Sequence, residues 1–257
     1  GYLNTNANNT FATIDGVNIS NASVAGVQVN DNPANSNNAK VTAEVKNVTI
    51  GGNTPIGVLI SGNDAYANVH DNTISAQAFG IQSTGSILSA TNGLTLSDND
   101  ITMTGQTYNS NPTTGIVLHK VTGTHAATVS GNDIAGSMYG YSVYNLNTGT
   151  ATDITGGTIT GVMQGVALLN WDPVANTYGP TNANVSNISM SGFTGTSTNP
   201  DINFHAGVYS FTGGSNNSAT ITSTLSGLTI DGTGKIQADC GGIVAADFST
   251  GSGTRQT

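Results

Sequence analysis

Apolar and polar positions along the chain repeat one short pattern, apolar-x-x-(Asn or apolar)-x-Ile, which occurs eight times. Its members are Ile14/Val17/Ile19, Val45/Val48/Ile50, Val69/Asn72/Ile74, Leu96/Asn99/Ile101, Val129/Asn132/Ile134, Ile154/Gly157/Ile159, Val185/Ile188/Met190 and Leu225/Leu228/Ile230. Each copy is followed by a second anchor, a glycine and then an apolar or aromatic residue: Gly26-Val27, Gly57-Val58, Gly80-Ile81, Gly115-Ile116, Gly140-Tyr141, Gly165-Val166, Gly207-Val208 and Gly242-Ile243. The copies are spaced about 30 residues apart, within the range of stacked repeat units.

Inside each anchor apolar residues alternate with polar ones, which is strand periodicity. Each strand is too short to bury its apolar face alone, so the faces must be buried by stacking. A unit of three short strands without a helical stripe predicts one rung of a parallel β-solenoid. Like residues would then stack about 4.8 Å apart, and about eight rungs would give a rod on the order of 40 Å long. The expected core columns are Ile14, Val45, Val69, Leu96, Val129, Ile154, Val185 and Leu225, and Ile19, Ile50, Ile74, Ile101, Ile134, Ile159, Met190 and Ile230.

The segments Val69-His-Asp-Asn-Thr-Ile74 through Gly80-Ile81, and Val129-Ser-Gly-Asn-Asp-Ile134 through Gly140-Tyr141, resemble the right-handed parallel β-helix repeats of the pectate-lyase-like superfamily. The resemblance covers residues 11–248 and implies an all-β, single-stranded right-handed parallel β-helix. It also implies a tight turn holding a stacked Asn, a position that Asn72, Asn99 and Asn132 occupy in three consecutive rungs. Asn tolerates a left-handed backbone and can hydrogen-bond to neighbours above and below. Since this superfamily includes lyases, hydrolases, tailspikes, adhesins and surface polymers, fold alone does not choose a function.

Composition narrows the choice. One Glu (Glu44), one Arg (Arg255) and four Lys leave too little material for helical bundles or coiled coils. A formal charge of −9 argues against nucleic acid and anionic membrane surfaces. The apolar runs are too short for a membrane span, and the segment reads as mature or excised. A single cysteine, Cys240, excludes a disulfide framework and a Cys-based zinc site, and fits a secreted or cell-surface protein of an organism that exports proteins without disulfides. No cofactor and no metal site are expected.

Enzymes of the resembled superfamily place acids, bases and calcium ligands on the outward face of the strand that carries the glycine anchor. Here that face reads Gln28/Asn30, Leu59/Ser61, Gln82/Thr84, Val117/His119, Ser142/Tyr144, Ala167/Leu169, Tyr209/Phe211 and Val244/Ala246. It lacks the carboxyl pair that glycoside hydrolysis needs and the base and cations that uronate elimination needs. Asp201, His205, Asp231, Lys235 and Asp239 lie in long loops of adjacent rungs and define a second corner to inspect. His119 and His125 flank Lys120 and read as turn residues. A column of Thr49, Thr73, Thr158 and Thr229 is interrupted by Asn18, Asp100, Asp133 and Ser189, against a regular ice-binding array.

Tyr144, Leu169, Tyr209, Phe211 and Val244 form an apolar column in the C-terminal half of the face, with Trp171, Val174 and Tyr178 in the following loop Asn170–Asn182. Tyr144, Leu169, Trp171, Tyr178, Tyr209 and Phe211 are therefore the candidate binding residues. Three readings stay open: cover by that loop, packing on another subunit, or stacking on sugar rings. The expected organisation is an N-terminal extension at 1–10, donated as a strand to a neighbour, the β-helix at 11–248 and a C-terminal tail at 249–257. The expected function is that of a non-enzymatic, extracellular structural or adhesive protein forming a homopolymer through its rod ends. The alternative is a polysaccharide lyase, a hydrolase or a carbohydrate-binding module using the groove beside the long loops.

Overall fold

A computed structural model describes residues 9–31, 40–172, 177–195, 205–214, 220–233 and 240–249. They form an all-β, parallel, solenoid-like fold. The chain passes in turn through three long sheets, and each strand pairs in parallel with its equivalents about 30 residues away. The first sheet runs from Thr10–Asp15 to Leu225–Ser226, the second from Asn18–Ser20 to Thr229–Asp231, and the third from Ala25–Asn30 to Cys240–Ser249. Strands begin at Thr10, the last residue of the expected extension 1–10, and continue to Ser249, the first of the expected tail 249–257; residues 1–8 and 250–257 lie outside the described residues.

Both expected core columns exist in that register. Ile14 pairs with Val45, then Val69, Leu96, Val129, Ile154, Val185 and Leu225. Ile19 leads through Ile50, Ile74, Ile101, Ile134, Ile159 and Met190 to Ile230. A one-residue slip in any strand would turn its apolar set outward, so alternation and stacking enforce the same register.

The glycine anchor has a steric cause. A Cβ on Gly57 would lie 2.4 Å from Ile74 Cγ2 and 2.4 Å from the Gly80 carbonyl oxygen. On Gly80 it would meet Ile101 Cγ2 at 2.4 Å, and on Gly115 it would meet Ile134 Cγ2 at 2.4 Å. From Gly26 to Gly207 the anchor glycine of the third sheet is thus a socket for the second-sheet side chain of the following rung, an isoleucine everywhere except at Gly165, which receives Met190. The two sequence anchors are two halves of one contact.

The asparagines form a buried ladder. Asn72 Nδ2 donates to Asn99 Oδ1 (2.8 Å) and Val45 O (3.0 Å). Asn99 Nδ2 donates to Asn132 Oδ1 (2.9 Å) and Val69 O (3.0 Å), and Asn132 Nδ2 donates to Leu96 O (2.9 Å). The left-handed backbone expected at these asparagines sits one residue earlier, at Asp71 (φ 56°), Asp98 (φ 54°) and Gly131 (φ 65°). That turn points the following amide into the core, where it satisfies backbone groups that the corner removes from the sheets. The ladder stops at Gly157, where a Cβ would lie 2.1 Å from Asn132 O. Beside that end Tyr141 replaces the usual aliphatic residue and approaches the Asn132 amide, and burial pushes its phenol well above the ordinary range.

Candidate functional site

Alternation along the third sheet directs two columns outward. One runs Gln28, Leu59, Gln82, Val117, Ser142, Ala167, Tyr209 and Val244. Its neighbour runs Asn30, Ser61, Thr84, His119, Tyr144, Leu169 and Phe211. The single apolar column expected from sequence is therefore two. Tyr209 and Val244 belong to the first, and Tyr144, Leu169 and Phe211 to the second.

The columns also differ in burial. Gln28, Leu59 and Gln82 are half-buried, but Val117, Ala167 and Tyr209 (2% exposed) are enclosed within the single chain. Ala167, Ala206 and Tyr209 form a small second core, against which Tyr139, Leu169, Phe211 and Val244 pack. The Tyr209 and Phe211 rings meet tilted at 38° with centroids 5.8 Å apart. Tyr209 is thus a packing residue, and what the outer column leaves at the surface is half-buried.

In that outer column the His119 ring stacks on Tyr144 at 4.3 Å and 27°, and His119 Nδ1 lies 3.3 Å from Thr84 Oγ1. His119 is the last residue of strand Thr114–His119, not part of the turn expected from its neighbour Lys120. Its place two residues beyond Val117 in the alternating strand is the signal that reveals it. Rung spacing lets equivalent flat rings touch face to face, so His119 and Tyr144 offer a continuous π surface.

Beyond Leu169 the chain turns outward into a short antiparallel pair in which Trp171 lies opposite Tyr178. The side chains of 171–178, including those of Trp171, Val174 and Tyr178, lie outside the described residues. The root of this hairpin is fixed by buried Asn170, whose Oδ1 accepts from Gly213 N (3.1 Å) and whose carbonyl accepts from Gly179 N (2.9 Å). The hairpin base is thereby tied to strand His205–Gly214, next to Phe211.

The second corner is only partly described, because Asp201, Lys235 and Asp239 lie outside the described residues. His205 is buried at the start of its strand and pairs in register with Cys240. Asp231 is exposed at the end of a second-sheet strand and accepts from Thr233 N (2.9 Å) and the Thr233 hydroxyl, which hold its carboxyl below the usual range. Elsewhere, Glu44 contacts Lys46 (3.2 Å) and His70 (3.5 Å) on the outward face of the first sheet, while His70 also contacts Asp71 (2.7 Å). The Lys46 ammonium, then His70, keep the Glu44 carboxyl low. Among the described residues no group of three or more His, Cys, Asp or Glu is placed to hold a metal ion, and no helix is long and apolar enough to cross a membrane.

Compared with protein-family models, curated proteins and solved structures, the chain matches none.

Proposed function

We propose that this chain is an extracellular, structural or adhesive β-helix that assembles end to end with copies of itself. In this reading the solenoid is right-handed, has eight rungs and is akin to the pectate-lyase-like β-helices. The observation that carries the reading is the exposure of inward-facing apolar side chains in the outermost described rungs. Ile243 is 57% exposed where its neighbour Val208 is buried, and Val17 is 42% exposed where its neighbour Val48 is buried. An exposed layer of core beside unpaired strand edges favours addition of another strand layer. Heterologous stacking of one end on the other does not close and therefore generates a filament. The acidic composition and single cysteine fit an extracellular setting. The test is sedimentation velocity over a concentration series with negative-stain imaging: rods in linear series support the reading, and a concentration-independent monomer overturns it.

The competing reading is a polysaccharide-active or carbohydrate-binding protein that uses Tyr144, Leu169 and Phe211 beside the hairpin at Trp171. The stacked His119 and Tyr144 rings favour it, because flat aromatic faces suit the apolar faces of sugars. Release of reducing ends, or of ultraviolet-absorbing unsaturated products from uronate polymers, would establish it in place of the first.

A further inference from the structure

The joint between copies has a readable register, and this inference rests on the end-to-end reading above. Along the third sheet, Gly26, Gly57, Gly80, Gly115, Gly140, Gly165 and Gly207 each receive a side chain from the following rung. The atom is isoleucine Cγ2 at 2.7 Å from the Cβ position of Gly26, Met190 Sδ at 2.5 Å from that of Gly165, and Ile230 Cδ1 at 2.5 Å from that of Gly207. Gly242, the last of the series, has no atom of the described residues within 4 Å of the same position. Among the described residues this socket is unfilled. At the opposite end, half-buried Ile19 is the first member of the isoleucine column, and it fills no glycine of the described chain.

We propose that Ile19 of one copy seats in the Gly242 socket of another, so that the first rung of the second copy continues the ladder of the first. The same offset lays Ile14 over Leu225, Val17 over Leu228 and Ile19 over Ile230. These pairs bring together residues that are incompletely buried in the single chain. The partner is therefore a second copy of this chain, recognised by a shape that its own core repeats at every rung. The inward-facing residues of both mating layers are apolar, and the missing Cβ of the glycine leaves the space that the isoleucine fills.

The register also places Val24, which is 55% exposed, opposite Cys240 of the neighbouring copy. Paired strands put such residues about 5 Å apart at Cα, within reach of a disulfide. Two experiments on the full chain test the joint. Gly242→Val fills a space that is empty in the monomer, so circular dichroism and the melting curve should stay unchanged while association weakens at least about tenfold. Adding Ile19→Ala to that variant shortens the knob and should restore part of the association. Separately, oxidised Val24→Cys should give a disulfide ladder longer than the dimer to which Cys240 alone is limited.

A wild-type chain that stays monomeric at every concentration overturns both the assembly reading and the joint. Wild type that associates, with Gly242→Val associating equally well, overturns the joint and leaves assembly standing. A Gly242→Val monomer that melts early also overturns it, because the socket would then be occupied from within the chain. Val24→Cys that stops at the dimer argues against this register.

Discussion

The middle rungs and the outermost described rungs carry the same apolar pattern but differ in how completely neighbours enclose it. In the middle, Ile101, Ile134 and Ile159 are enclosed, every glycine socket is occupied and the Asn72–Asn99–Asn132 ladder closes the corner. In the last described rung Ile243 is exposed and no described residue fills the Gly242 socket, although Gly242-Ile243 repeats the motif of Gly165-Val166. The lesson is that a rung has little stability of its own. Its worth is set by the layers above and below it, as expected when repeat and interface terms add. The beginning of the solenoid is less open than its last rung, since Val27 and Val29 are buried while Ile14 and Ile19 are half-buried.

The strongest test of this contrast is a buried charge. Ile134→Asp should cost several kcal/mol, because an unpaired carboxylate cannot be solvated between Ile101 and Ile159, and should unfold the middle rungs. Native circular dichroism and melting of this variant would show that the register is wrong. The same change at Ile243 should leave the monomer folded.

Next in size, Gly140→Val drives a methyl-bearing carbon against the Gly165 carbonyl, only 2.5 Å from the Cβ position, and the isoleucine of the next rung. Backbone cannot yield as a side-chain tip can, so a loss of about 3 kcal/mol or more is expected from denaturant melts. Equal melts for the Gly140→Val and Gly242→Val monomers would erase the difference between filled and empty sockets.

Asn99→Ala removes the centre of the ladder and leaves the Asn72 amide, the Val69 carbonyl and the Asn132 carboxamide short of partners. A cost of about 2–4 kcal/mol is expected, read as a lowered denaturant midpoint with local loss of hydrogen-exchange protection. A variant as stable as wild type would mean that water replaces the amide.

The smallest effect is at alkaline pH. Burial, together with Asp64, raises Tyr66 from 10.0 to about 12, and burial alone raises Tyr139 to about 12. A phenol raised in the folded state supports the fold fully below pH 10 and loses that support as pH rises through about 12. Absorbance titration near 295 nm should therefore show late-ionising tyrosines that become ordinary on unfolding. Tyr66→Phe and Tyr139→Phe should reduce their number. Ionisation of both near pH 10 in the folded protein would remove the claim.

Much of this was legible because stacking repeats one decision many times. A two-residue alternation sorted inward from outward positions, and the recurrence of Ile19, Ile50, Ile74 and their equivalents set the register that backbone pairing then followed. The Asn positions were legible for the same reason, although the left-handed residue proved to be the one before each of them. Cover of Tyr209 stayed open in the sequence because alternation tells which side of a strand a residue faces and nothing of what the chain lays over that side; in the fold it is enclosed. His119 stood both on the outward strand face and beside the turn at Lys120; it is the last residue of strand Thr114–His119, and its contact with Tyr144 decides its environment.

The sequence by itself determined the all-β class, the three short strands per repeat and the core columns, since these follow from the periodicity of apolar side chains. Tertiary structure decided the rest: that the anchor glycines from Gly26 to Gly207 admit an isoleucine or, at Gly165, Met190 from the next rung, that Tyr209 is enclosed, and that no described residue fills the socket at Gly242. The reason is physical. Periodicity is a property of neighbours along the chain, whereas sockets, cover and exposed layers are properties of residues in successive rungs, such as Gly80 and Ile101, which only stacking brings into contact.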